Sequence, residues 1–265
     1  MSRKRNYNLI IGAVLTALVV TLLLIGAFWT PYNPDKMNPS LRLAPPSAEH
    51  LLGCDNFGRD IFSRLLKGGF STLWISISTV LFGLICGIIV GAFTGYYGGI
   101  FDEVVMRLND VLNSFPSILL SLVFVSLLGP GKKNVVIALG LLFIPSYARI
   151  TRSEFSRIKN LDYVKCAKLE GVSSLRIMFV HILPNAVNTL LSTTAIGFNN
   201  AVLAEASLSF LGIGVQPPDP SLGRMLSESQ TYLFTAPWYT LSTGITIILL
   251  ILGWGLLSDG LGDIE

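Results

Sequence analysis

Charged side chains are scarce in this sequence. Only 13% of residues are Asp, Glu, Lys or Arg while 51% are hydrophobic, and the mean hydropathy is +0.63. Soluble domains carry about 25% charged residues, so a water-soluble fold is excluded and a polytopic membrane protein is expected. Histidine is nearly absent: His50 and His181 stand far apart, and no His-Glu-x-x-His zinc site exists. There is no Gly-x-Ser-x-Gly nucleophile elbow either. The stretch nearest to a phosphate-binding loop is Gly129-Pro130-Gly131-Lys132-Lys133-Asn134. It has Ser126 where the first glycine belongs, and no Ser or Thr after the lysine to hold Mg²⁺. It reads as a tight turn with two solvated lysines. The chain is therefore expected to have no catalytic residues and no nucleotide site, so that its energy or regulation comes from something it touches.

Long apolar runs fill the chain instead. A helix needs about 20 largely apolar residues to cross the hydrocarbon core, and candidates lie at residues 9–29, 73–96, 111–128, 135–150, 187–211 and 241–257. The third and fourth are short and interrupted, by Asn113-Ser114 with Pro116 and by Pro145. Continuous runs of this length read as helices, because barrel strands show short alternating segments. The expected fold is all-α with six transmembrane helices. Residues 1–70 would form a first helix and an outer segment, and residues 71–265 a core of five helices.

Lys and Arg near the helix ends set orientation. Starting inside places Arg3, Lys4, Arg5, Arg107, Arg149, Arg152, Arg157, Lys159, Lys165, Lys168 and Arg176 in the cytoplasm, more than half of the 19 Lys and Arg. Both termini are expected on that side. The basic start and the apolar run behind it lack a small-x-small cleavage site, ending in Ala27-Phe28-Trp29-Thr30-Pro31, and so read as an uncleaved span. On this topology Cys54 lies outside, Cys86 in the second span and Cys166 in the cytoplasm. No two could meet in a disulfide, and none has metal-ligand company.

Polar residues inside apolar spans are costly and usually functional or paired. At about 100° per residue, Ser192, Thr193, Asn199, Asn200 and Ser207 fall on one broad face of the fifth run, with Thr194, Glu205 and Ser209 on another. Asn199, Asn200 and Glu205 are the candidates for lining a pathway. The competing reading is hydrogen bonding between helices, which for Glu205 is the stronger of the two. Glycine recurs at Gly83, Gly87, Gly91 and Gly95. Small residues four apart let two helix backbones approach closely, so the second span is expected inside the bundle.

Between the fourth and fifth runs lies a polar insert, residues 151–184. Tyr163 to Glu170 has helical spacing, Gly171 breaks it, and Ser173 or Ser174 can cap a second helix through about Ile182, stopped by Pro184. Leu175, Met178, Phe179 and Ile182 share one side of that helix. A short amphipathic helix between spans could lie on the membrane or dock into a groove on another protein; a solvated loop with incidental periodicity is the alternative.

The pattern Lys165-Cys166-Ala167-x-x-x-Gly171, followed after nine residues by His181-x-Leu183-Pro184, resembles the EAA signature of permease subunits of bacterial ATP-binding cassette importers. Two more stretches narrow the resemblance: Leu51 to Leu65, reading LLGCDNFGRDIFSRL, and Glu205 to Pro218, reading EASLSFLGIGVQPP. Both are similar to C-type permeases of the dipeptide, oligopeptide and nickel transporter family. The resemblance implies a type I importer permease fold in the bacterial inner membrane. It implies a B-type permease as partner in the pathway, two cytoplasmic ATPases that bind ATP and Mg²⁺, and an external binding protein. Membrane lipid surrounds such a chain, which has no dealings with nucleic acid, metal or a cofactor of its own. By the same resemblance, the helix from about Ser173 to Ile182 is the coupling helix and Gly171 the glycine at its base. Leu175, Met178 and Phe179 are expected to fill the ATPase groove. Lys165 stands where the family usually has an acid, Cys166 where it has alanine, and Cys54 where it has threonine. Peptides are the first-ranked substrate and nickel the second. A self-powered secondary transporter is the reading from another class, against which stand the lack of a repeated half and of paired intramembrane carboxylates.

Overall fold

The computed structural model describes residues 7–262, the side chains of 261 and 262 excepted. The basic cluster Arg3, Lys4 and Arg5 lies outside the described residues. Helices dominate: α1 Tyr7–Ile25, α2 Ile61–Tyr97, α3 Gly99–Ser114, α4 Ser117–Leu128, α5 Lys132–Ile158, α6 Asp162–Leu169, α7 Ser174–Arg176, α8 Leu183–Phe210, α9 Leu222–Ser229 and α10 Pro237–Gly262. No strand occurs among the described residues, only an isolated bridge between Cys54 and Asp60.

The glycine repeat does what its spacing predicts. A Cβ placed on Gly83, Gly87, Gly91 or Gly95 would come under 3.0 Å from atoms of Phe143, Tyr147, Ala148 and Arg152 respectively, all on α5. The two helices therefore approach closely along more than three turns. This α2–α5 pair is the spine of the fold. Around it, Val19 and Leu23 of α1, Leu73 and Val80 of α2, Tyr147 of α5, Phe198 and Val202 of α8 and Tyr239 and Leu250 of α10 form one apolar core. Helices α1 and α10 meet at Gly12, whose missing side chain admits the backbone of Leu256 and Leu257. The Trp254 indole of α10 donates to the Ala195 carbonyl of α8 at 3.0 Å.

Several expected boundaries move. Helix α2 starts at Ile61, capped by the Asp60 carboxylate on the Ser63 amide. At 37 residues it is about 55 Å long, so its first turns precede the apolar run 73–96. It runs unbroken through residues 70 and 71, where a division between outer segment and core was expected. The third span is not one rod. Phe115, held extended (φ −87°, ψ 143°) before Pro116, turns the chain by 97° between α3 and α4. Pro145, by contrast, sits inside an uninterrupted α5, as spanning helices tolerate when neighbours re-satisfy the freed groups. That helix runs on to Ile158 and takes in the first eight residues of the polar insert.

By length and apolarity alone, four helices (α1, α2, α5, α10) suit a membrane crossing, and five if the bent α3–α4 pair is one span. Helix α8, the remaining candidate, has 28 residues, about 42 Å, but its Ser, Thr, Asn and Glu side chains lower its apolarity.

Candidate functional site: a polar insert joined to a polar cavity

The remainder of the polar insert begins where α5 ends. Lys159 there donates to the carbonyls of Gly95 and Tyr96 at 2.7 and 3.2 Å, a cation closing the carbonyl end of α2. After a turn, α6 presents Val164 and Ala167 inward and Lys165 and Cys166 outward. Lys165 pairs with Asp162 at 3.1 Å, both exposed. The helix ends in a Schellman arrangement: the Val172 amide donates to Ala167 at 3.1 Å and the Gly171 amide to Lys168 at 3.2 Å. Gly171 has φ +79° and open space where a Cβ would be, so backbone conformation alone demands glycine.

Ser173 takes the N-cap position of the next helix without a side-chain cap bond. Three α residues, Ser174–Arg176, pass into a π turn at Ile177–Ile182, whose Leu183 amide reaches back to the Met178 carbonyl. Pro184 follows as the second residue of α8 and does not stop the helix as its type suggested. A proline lacks the N–H of an α ladder and clashes with the carbonyl four residues back; the wider π turn lies where that clash would fall. The side chain of Asn185 and the hydroxyl of Tyr163 both donate to the His181 carbonyl, at 2.7 and 3.3 Å. His181 and Leu183 are half-buried and Pro184 exposed. Backbone thus stays helical from Ser174 to Phe210.

The side chains of this helix do not share one outward face. Met178 is 0% exposed and, with Ile177 and Ile182, packs on Ala92, Phe155, Ile158, Val164 and Leu190. It anchors the segment to the spine instead of offering a contact. Leu175 and Phe179 remain outward at 56% and 38% exposure, joined by Leu169 and Val180. The last two escaped the sequence reading because one lies before the glycine and the π turn rotates the other outward.

A cavity of about 730 Å³ opens between α3, α4, α5 and α8, lined among others by Asn113, Ser146, Tyr147, Thr193, Asn200 and Ser207. Of the three pathway candidates it takes only Asn200. Asn199 points to α10, where its amide nitrogen lies 3.4 Å from the space a Gly255 Cβ would fill. Glu205 is fully buried away from the cavity and accepts the Ser209 hydroxyl at 2.7 Å, while that hydroxyl accepts the Val215 amide at 3.1 Å. Its role is to tie the end of α8 to the Gly-rich turn behind it. About 100° separates adjacent helix residues, so Asn199 and Asn200 had to part company.

The stretch from His50 to Arg64 forms, with Glu228, a buried ion network. Asp55 pairs with Arg59 at 2.6 Å, and Glu228 of α9 with Arg59 at 3.2 Å. Arg64 lies 3.5 Å from Asp55 and 3.7 Å from Glu228. His50 meets Asp60 at 2.9 Å. Among the described residues no three His, Cys, Asp or Glu side chains gather as a metal site.

Residues 83–264 match the family model described as binding-protein-dependent transport system inner membrane component. The chain is 37% identical over 260 residues to the dipeptide transport system permease protein DppC of Alkalihalophilus pseudofirmus, covering 98% of this chain and 86% of that one. It is 39% identical to the di/tripeptide permease DppC of Pseudomonas aeruginosa (96% and 86% covered) and 40% identical to the glutathione permease GsiD of Pectobacterium atrosepticum (95% and 85%). Among solved structures, the inward-facing MetNI methionine ABC transporter superposes with a TM-score of 0.62 at 18% identity, over 76% of this chain and 96% of that one, which speaks for the fold. The chain belongs to the family of inner membrane components of binding-protein-dependent transport systems, with the type I ABC importer permease fold.

Proposed function

We propose that this chain forms half of the pathway of a di- or oligopeptide importer and is driven by alternating access. As the transmembrane component of its system it hydrolyses no ATP itself. The observation that carries the reading is continuity: exposed Phe179 and cavity-lining Asn200 stand on one helical run, Ser174 to Phe210, about 30 Å apart along it. A push on the cytoplasmic end therefore moves the cavity wall. Coupling needs a partner that contacts this end differently in its two states. Two ATPases holding ATP and Mg²⁺ fill that role, docking on Leu175, Phe179 and their neighbours Leu169 and Val180, while Gly171 sets the angle of the segment.

A B-type permease supplies the other half of the pathway, and an external binding protein delivers the cargo. Both termini lie in the cytoplasm. The relatives named above carry peptides or glutathione, which favours peptide over nickel. Reconstitution with the cognate partners tests the reading. ATPase subunits should co-purify with this chain, and vesicles should take up a labelled dipeptide only with ATP and binding protein present. Uptake without the ATPases would overturn it.

A further inference from the structure

The polar groups of the cavity differ in what they bond to. The hydroxyls of Ser121, Thr193 and Ser207 are donated to carbonyls of their own helices, those of Ile118, Thr189 and Leu203. Four other groups are not spent in this way. The side chains of Asn113, Ser117, Ser146 and Asn200 are exposed and make no hydrogen bond among the described residues. The Tyr147 hydroxyl, by contrast, is buried against Gly197. The four come from α3, α4, α5 and α8, and they face one space. Unpaired amides and hydroxyls are costly against lipid, so their occupant is polar. The space of about 730 Å³ is of the size, roughly 300–1,000 Å³, that holds small organic ligands.

None of the described residues lining the cavity is charged. Carboxamides and hydroxyls both donate and accept, and that matches the N–H and C=O which a peptide offers whatever its side chains. The apolar remainder, with Phe143 and Leu203, gives side chains a surface without selecting their charge. A site built to hydrogen-bond a group rejects an analogue lacking it, whereas a neutral wall discriminates weakly among side chains.

We propose that Asn113, Ser117, Ser146 and Asn200 form a subsite that reads the main-chain amides of the peptide in transit and is indifferent to side-chain charge. This rests on the reading of the chain as a peptide-importer subunit.

The experiment is uptake into vesicles by the complete complex, with the binding protein saturated so that maximal rates report the membrane step. Ala-Ala, Ala-Lys and Ala-Glu are compared. In the wild type their maximal rates agree within about twofold, and Asn200→Asp, which adds one negative charge to the wall, raises the Ala-Lys to Ala-Glu ratio by about fivefold or more. Ser146→Asp, on a different helix, moves the ratio the same way and serves if the first variant does not assemble. An unchanged ratio in assembled variants overturns the subsite, as do wild-type rates that differ more than about tenfold with side-chain charge. Uptake of none of the three by the assembled wild type overturns the peptide reading itself, and the subsite with it.

Discussion

Arg64 is 1% exposed and closes the first turn of α2. It is held by Asp55, Glu228 and the Pro34 carbonyl, the last at 3.2 Å. Removing one partner of a buried ion pair leaves the other charge uncompensated, which costs about 3–5 kcal/mol. Asp55→Ala is expected to lose stability of that order, read as a lower melting temperature of the purified chain in detergent. Glu103→Ala, which breaks an exposed pair with Arg107 at 3.8 Å, should change stability by no more than about 0.5 kcal/mol. The run from Cys54 to Arg64 was visible as a motif, but its pairing was not, since Glu228 stands 169 residues from Arg59.

Cysteines separate by environment in the same way. Burial, and after it the nearby Asp60 and Asp55 carboxylates, pushes the Cys54 thiol up to about 11, so at pH 7 it stays protonated and unreactive. Cys166 is exposed. Maleimide at pH 7 should label Cys166 and spare Cys54 until the protein is denatured; labelling of native Cys54 would contradict its placement. At Gly171 the constraint is conformational. With φ +79° and open space around it, Gly171→Ala should cost about 1–2 kcal/mol, measurable as greater hydrogen exchange in α6 and α7.

Among the elements, periodicity was the most legible signal. A repeat of four glycines requires a close neighbour, and α5 is that neighbour. Gly91→Leu would drive a side chain into the Ala148 carbonyl and Thr151; overpacking costs about 1–3 kcal/mol or more, and less folded protein should be recovered from the membrane. The three prolines were less legible, because one residue type has three outcomes. Pro116 turns the chain through 97°, Pro145 is absorbed in α5, and Pro184 opens α8 behind a π turn. What decides among them is whether neighbouring backbone can rearrange, which a linear pattern does not encode. The π turn also reassigned Met178. Spacing of three and four assumes 3.6 residues per turn, and one wider turn rotates everything after it.

At the scale of the whole molecule, the family and the membrane character were legible in motifs and composition, and so was the position of the polar insert between two long helices, while the cavity was not. It needs α3 and α4 to bend apart and α8 to turn Asn200, not Asn199, toward α5. The same geometry joins the two ends of the proposed mechanism. Met178, Ile177 and Ile182 seat the start of this helical run in the α2–α5 core, and its continuation lines the cavity, so force at Phe179 has a stiff route to Asn200. The most direct measurement is substrate-stimulated ATP hydrolysis by the reconstituted complex with Phe179→Asp. Phe179 is half-exposed and the chain should still insert and assemble with its partner permease, while stimulation by loaded binding protein falls at least about tenfold, from the loss of a buried aromatic contact worth roughly 2 kcal/mol or more. Undiminished stimulation and transport in that variant would contradict the coupling role of the segment.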